Sequence, residues 1–224
     1  MIQILQQSPS QISFLLGQAS VSIRPDNLLY HSSDLEIAKG TVGKAAFLNI
    51  QNSQTRSWRE VSISGPHLNL IEINLFDDDL YVDLNSVVAY NCIIDVNHTK
   101  GHLVKTKRKR TLENRGMTSL NFSEFIIVSC PEQLQRIEVK GKPHMAINKQ
   151  NIIAMTNCIV LSESRMNHIP KISKISGDGS VFVTSQSQRN AKRFELGPQI
   201  ILLSIISFCL VIILVFVVDD MMVL

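Results

Sequence analysis

The chain has 224 residues, 45% of them hydrophobic and 18% charged, enough for a sizeable ordered core. Its net charge of +3 is too mild to point to a polyanion partner across the whole surface. The four cysteines, Cys92, Cys130, Cys158 and Cys209, show neither C-x-x-C spacing nor matched histidine pairs, which argues against a zinc ribbon or a dithiol redox motif. They read as small buried hydrophobes of a reducing compartment.

The N-terminus opens Met1-Ile2-Gln3-Ile4-Leu5 and has no basic residue before Arg24. That is a poor secretory signal and an incomplete mitochondrial presequence, although the stretch is free of acids and carries Ser8, Ser10 and Ser13. The sequons at Asn97-His98-Thr99 and Asn121-Phe122-Ser123 are discounted, because such triplets arise often by chance and no signal peptide precedes them. Residues 12–40 read as strands: Ala19–Ile23 alternates with period two, Arg24-Pro25-Asp26-Asn27 supplies a turn, and Leu28-Leu29-Tyr30 resumes. Residues 39–58, with Gly40, Gly43 and a Gln/Asn/Ser run, are expected to form a loop. A clear β unit follows from Val61 to about Val96, and the change of parity between Leu70 and Ile71 predicts a β-bulge or a strand crossing between faces. A second unit spans about Phe125–Ser162, and a closing strand follows near residues 174–184, where Asp178-Gly179 is a hairpin turn signal.

The two units repeat one another. Tyr81–Tyr90 and Ala146–Met155, 65 residues apart, both read apolar, small polar, polar turn, two branched apolar residues and a small one. The flanks agree: Ile71-Glu72-Ile73 with Ile137-Glu138-Val139, Ser64-Gly65-Pro66 with Ser129-Cys130-Pro131, and Asn91-Cys92-Ile93 with Asn157-Cys158-Ile159. Val139 to Ala154 is 15 residues, Ile73 to Ala89 is 16, and Ile23 to Ala38 is 15, which makes residues 12–40 a third, diverged copy. In that alignment Arg24–Asn27, Phe76–Asp79 and Lys140–Pro143 are equivalent turns. The expected fold is therefore all-β: repeated β-hairpin units in a sandwich or double-stranded β-helix-like domain, with one C-terminal transmembrane helix. The domain covers 12–190, after an N-terminal segment 1–11, with units at about 12–40, 58–96 and 121–163. Val82, Val87, Val88, Ile152 and Ile153 are its expected core.

Ile200–Val218 is 19 residues without a charge. As a helix at ~1.5 Å per residue it spans roughly 28 Å, close to the hydrocarbon thickness of a bilayer. Arg189, Lys192 and Arg193 stand before it and Asp219 and Asp220 after it, so the basic flank and the β domain should stay on the side from which insertion occurs.

These residues give the chain a family likeness. It resembles the altered-inheritance-of-mitochondria family, whose domain is similar to the tryptophan RNA-binding attenuation protein fold. The family's G-x-G turn, strand and V-D-x-x-x-V-V-A pattern looks like Ser64-Gly65 through Val82-Asp83 and Val87-Val88-Ala89. Its Q-x-x-L-L-A-x-T pattern looks like Gln150, Ile152-Ile153-Ala154 and Thr156, and its closing G-x-G-x-V-x-L strand like Gly177–Val183. The match covers about residues 15–185. It departs at the first glycine pair, reduced here to Gly65, and at Met155, where fungal members commonly carry tryptophan. The resemblance implies a non-enzymatic mitochondrial protein of the inner membrane, supporting cristae organisation and respiratory-complex integrity. Its implied partners are the membrane and inner-membrane assemblies such as the cristae-organising complex, and a homo-oligomer is compatible with it.

Reactive constellations are sparse. His98 and His102 stand four apart, but Thr99 and Gly101 oppose the helix that would align them on a metal. Asp77-Asp78-Asp79 lacks the ligand spacing of a calcium loop and reads as an acidic turn. Gly177-Asp178-Gly179 has no following helix to make it a phosphate cradle. No G-x-S-x-G, H-E-x-x-H or P-loop pattern is present, so no catalytic residue, metal or cofactor is expected. The one candidate contact site is the basic run with Lys105, Lys107, Arg108, Lys109 and Arg110. It reads first as a solvated linker and next as a contact for anionic lipid, worth about 1 kcal/mol per charge near the surface. Nucleic acid ranks lower, because no aromatic residues flank the run to stack bases. Loops 39–58 and 97–117 are the expected partner-contact surfaces. The expected location is the mitochondrial inner membrane, with a cytosol-facing tail anchor in the outer mitochondrial or ER membrane as the alternative.

Overall fold

A computed structural model of the chain describes residues 2–54, 57–73, 79–107, 124–140, 145–163 and 172–185. Period-two alternation and β-branched runs produce strands throughout, and the protein is all-β: the described residues hold no α-helix, only short 3-10 turns such as Pro25–Asn27 and Lys149–Asn151. Strand β1 (Ile2–Gln7) is followed by three runs of six. The first is β2 (Gln11–Leu16), β3 (Ser20–Ile23), β4 (Leu28–His31), β5 (Glu36–Val42), β6 (Ala45–Gln51) and β7 (Arg59–Ser64). The second is β8 (Leu68–Glu72), β9 (Leu80–Asp83), β10 (Val87–Tyr90), β11 (Ile93–Lys100), β12 (Leu103–Lys107) and β13 (Phe125–Ser129). The third is β14 (Gln135–Val139), β15 (Met145–Asn148), β16 (Ile152–Thr156), β17 (Val160–Glu163), β18 (Ile172–Ser176) and β19 (Gly179–Val183).

The runs are three copies of one pairing scheme. In each, the sixth strand pairs antiparallel with the first and the third: β7 with β2 and β4, β13 with β8 and β10, β19 with β14 and β16. The fifth pairs with the second and the fourth: β6 with β3 and β5, β12 with β9 and β11, β18 with β15 and β17. Even the register shift recurs, between Leu28 and Tyr30, Val87 and Ala89, and Ile152 and Ala154. Each sheet is then shared by neighbouring units. One runs β5-β6-β3-β10-β13-β8 and the next β11-β12-β9-β16-β19-β14, joined across the unit boundary by β3·β10 and β9·β16. The remaining strands form a four-stranded sheet β1-β2-β7-β4 and a three-stranded sheet β15-β18-β17. These are the two halves of a third shared sheet whose joining ladder, β4 to β15, is not formed.

Side-chain chemistry explains why two seams close and the third does not. At the first seam Ala89, Ile127 and Phe125 of the second unit pack with Val21, Ile23 and Ile50 of the first. At the second, Ala154 and Phe182 of the third unit pack with Val82 and Val104 of the second. The registers Ala89↔Ile127, Ala154↔Phe182 and Tyr30↔Ser62 identify the first unit's matching residues as Tyr30 and Ser62, with Glu60 in place of Phe125. Burying an isoleucine or phenylalanine stabilises by about 1.5–3 kcal/mol. At the closed second seam the Phe125 place holds Ser180, so the contrast common to both closed seams is an alanine with Ile127 or Phe182 against Tyr30 with Ser62 at the open one.

The repeat of Tyr81–Tyr90 and Ala146–Met155 is the strand–turn–strand pair β9–β10 and β15–β16, and Val82, Val87, Val88, Ile152 and Ile153 are all at most 2% exposed. The strand pairing divides the chain elsewhere than the sequence spacing does, at 11–64, 68–129 and 135–183. Arg24–Asn27 matches the turns at Leu84–Ser86 and Lys149–Asn151, so Tyr30, not Ala38, stands with Ala89 and Ala154. Residues 39–51 belong to strands β5 and β6, turning at Gly43 (φ 58°), because Phe47 and Ile50 are buried beneath the polar run. Residues 97–107 likewise lie largely in β11 and β12. Asp178-Gly179 is no hairpin: β18 and β19 lie in different sheets and the turn is a corner between them. Gly177 (φ 113°) is needed there, since a Cβ would stand 2.2 Å from the Cys158 carbonyl oxygen.

The described strands fall in one unit, Met1–Ser185, while residues 186–224, including Ile200–Val218, lie outside the described residues. Among the described residues no helix is long and apolar enough to cross a membrane. Val88, 2% exposed at the first seam, gives a test: Val88→Asp should cost several kcal/mol and unfold the domain, read by thermal denaturation. Wild-type melting would remove Val88 from the core.

Candidate functional site

The described part of the basic run lies on β12, where alternation buries Val104 and Thr106 on one face and leaves Lys105 and Lys107 half-buried on the other, beyond the buried Leu103. The neighbouring strand β11 and the segment before β9 bring carboxylates to both. Lys105 Nζ is 2.6 Å from Asp79 Oδ2, and Lys107 Nζ is 2.7 Å from Asp95 Oδ2. His98 Nδ1 meets the same Asp95 oxygen at 2.8 Å, across the irregularity of β11 between Asp95 and Thr99. The hydrogen bond from Lys107, with smaller help from the Asn97 amide and His98, holds the Asp95 carboxyl down at about 2. The hydrogen bond that Lys105 donates to the Asp79 carboxylate raises its ammonium above the ordinary range. This hairpin is therefore zwitterionic, and an anionic ligand would compete with carboxylates already in place. Arg108, Lys109 and Arg110 lie outside the described residues.

Two other cations serve the seams, and neither role is visible in the sequence because each partner is remote in the chain. Arg24 sends its guanidinium from the first unit to the Val87 and Leu84 carbonyls of the second, the latter at 2.6 Å, with the Phe47 ring 5.2 Å away. Burial lowers its pKa, partly offset by Asp26 and Asp83. Lys100 does the same between the second and third units: Nζ donates to the Asn157 carbonyl at 2.6 Å and lies 4.7 Å from the Tyr81 ring centre.

The histidine pair diverges. His98 faces Asp95, while His102 Nε2 is 3.0 Å from the Ile152 carbonyl, and no group of three metal-ligating side chains occurs among the described residues. Asp79 is engaged by Lys105, and Asp77 and Asp78 lie outside the described residues. Cys92 and Cys130 are buried, and burial, followed by the charge of Asp83, pushes the Cys130 thiol up to about 12. Cys158 departs from the expectation, because it sits exposed in the turn after β16; Cys209 lies outside the described residues.

Two surface features were missed by the sequence reading. An open cleft of about 590 Å³ forms where Ser8 and Pro9 meet His67, Leu68 and Asn69. His67 holds a left-handed conformation there (φ 40°), unusual for a residue with a side chain. The other feature is the open seam: Leu29 and Tyr30 on β4 are 52% and 44% exposed, and Met145 on β15 is 43% exposed. Their counterparts on β9, β10 and β16 are buried. The signal for it was Tyr30 standing where both other units carry alanine.

No family model matches the chain, and neither does any curated protein. Among solved structures, the chain is similar to a crystal structure of a Streptococcus pyogenes protein, at 11% identity and a TM-score of 0.60. The alignment covers 87% of this chain and 97% of that one. At this identity the likeness speaks for the fold alone.

Two measurements check the site. Asp95 should titrate at about 2 by NMR and move up toward about 3.9 in Lys107→Ala. Since its folded value is depressed, its stabilisation is present above about pH 4 and is lost as pH falls toward 2. An unchanged titration in Lys107→Ala would deny the pairing. Alkylation of the native protein at pH 8, followed peptide by peptide, should mark Cys158 and spare Cys92 and Cys130 until denaturant is added.

Proposed function

We propose that this protein is a non-enzymatic β-scaffold held at a membrane by Ile200–Val218, acting in the organisation of membrane protein assemblies. The observation that carries this reading is the fate of the repeated residues. Val82, Val87, Val88, Ile152, Ile153 and the two alanines are consumed in packing, so what recurs along the chain serves architecture. Resemblance to the altered-inheritance-of-mitochondria family supports a place at the mitochondrial inner membrane, with the cristae-organising complex and respiratory assemblies as partners. The uncharged 19-residue run with its basic flank supports the anchor. A cytosol-facing tail anchor remains the alternative arrangement of the same parts.

A nucleic-acid module would draw on the same basic run. The ion pairs of Lys105 and Lys107 weigh against it, since phosphate would have to displace Asp79 and Asp95.

Carbonate extraction of isolated mitochondria tests the anchor: the full chain should stay with the membrane pellet, and a chain lacking residues 200–218 should be released. Release of both would refute the anchor. Protease protection in intact mitochondria then separates the locations, with a protected β domain expected and a digested one assigning the cytosol-facing alternative. Single-stranded RNA should not be retained at physiological salt. Retention that Lys105→Ala with Lys107→Ala abolishes would move the assignment to nucleic acid.

A further inference from the structure

We propose that the third seam is a latch, in which β4 and β15 of the same chain pair in a closed state and part in an open one. The two closed seams define the ladder it would use. At the first, Ala89 faces Ile23 and Tyr90 faces Ser22; at the second, Ala154 faces Val82 and Met155 faces Tyr81. Each inner strand runs into its turn from an equivalent residue: Arg24 after Ile23, Asp83 after Val82, and Asn148 after Ile147. The third ladder therefore has one register, Tyr30 opposite Ile147 and His31 opposite Ala146. Forming it joins the two short sheets into β17-β18-β15-β4-β7-β2-β1, the order already present in the other two shared sheets with β1 added at the edge.

Features that favour closure and features that oppose it meet at this seam. Closure satisfies the backbone donors and acceptors along two open edges and withdraws Leu29, Tyr30 and Met145 from water. Against it stand the residues that replaced the apolar seam face. Tyr30 occupies an alanine position and gives its hydroxyl to Glu60, while Ser62 binds the Ser13 hydroxyl at 2.9 Å and the Gln11 amide at 3.0 Å. The Ser62 bonds join β7 to β2 within one sheet, so the contact at the edge strand itself is that of Tyr30 with Glu60. This seam lacks the apolar residues that seal the first two, Phe125, Ile127 and Phe182, so its closure would rest on the backbone ladder and on Leu29, Tyr30 and Met145.

Cysteine trapping in the full-length chain, with Cys158 and Cys209 replaced by serine, tests the latch. Two pairs are made separately: Tyr30→Cys with Ile147→Cys, and His31→Cys with Ala146→Cys. Tyr30, His31 and Ala146 lie outside the buried core, and Ile147 packs at its margin; circular dichroism checks that each variant folds, and the second pair keeps the test independent of Ile147. Mild oxidation should give an intramolecular disulfide in at least one pair, seen as a fast monomer band and a mass loss of two hydrogens. Adding Tyr30→Ala to the second pair should make trapping several-fold faster. No disulfide in either pair overturns the latch. A disulfide-linked dimer without the monomeric species also overturns it, and would assign the two edges to a second copy of the chain.

Discussion

The structure depends on one requirement, an apolar strand face delivered by each unit onto the core of the unit before it. A six-strand unit cannot bury its own sheet on both sides. Its third and sixth strands, such as β10 and β13, are buried along their whole length only because a neighbour covers the second face. Where the delivered face is Phe125, Ile127 and Ala89, the ladder forms and backbone and side-chain terms reinforce one another. Where the same places hold Glu60, Ser62 and Tyr30, the backbone is just as able to pair but the side chains give no reason to, and the sheet stops. The hydrogen-bond ladder thus follows the hydrophobic contact.

Much of this was legible in the residues. Apolar alternation and turn chemistry point to the all-β class, and the repeated segments lie on the strand–turn–strand pairs β9–β10 and β15–β16, although the pairing divides the units elsewhere than at 58–96 and 121–163. The first unit was read one turn out of step because Ala38 happens to lie at the repeat distance from Ile23, whereas its true counterpart, Tyr30, has lost the alanine. Residues 39–51 misled through their polar outer face; only Phe47 and Ile50 mark them as a buried hairpin edge. Asp178-Gly179 misled because a tight turn looks the same in sequence whether the strands beside it pair or part into different sheets.

The basic run was found as a charge pattern, but its electrostatics were not. Asp79 and Asp95 reach Lys105 and Lys107 from outside β12, and the pairing register that aligns them is fixed by the fold and not by spacing along the chain. The same holds for Arg24 and Lys100, ordinary cations in the sequence, which clamp turn carbonyls across the two closed seams. These four cations, Lys105, Lys107, Arg24 and Lys100, are engaged by partners within the fold.

The sharing of sheets between units also sets the order in which the domain can be completed on the ribosome. When the first unit has emerged, β3 carries a bare edge that stays unmatched until Tyr90 is made, and β9 waits likewise for Thr156. At these two boundaries the later unit therefore finishes its predecessor, and until it does the growing chain carries an unpaired strand edge. The third described unit leaves β15 without such a neighbour, and the proposed latch would supply it from β4, across a longer stretch of chain than either closed seam spans.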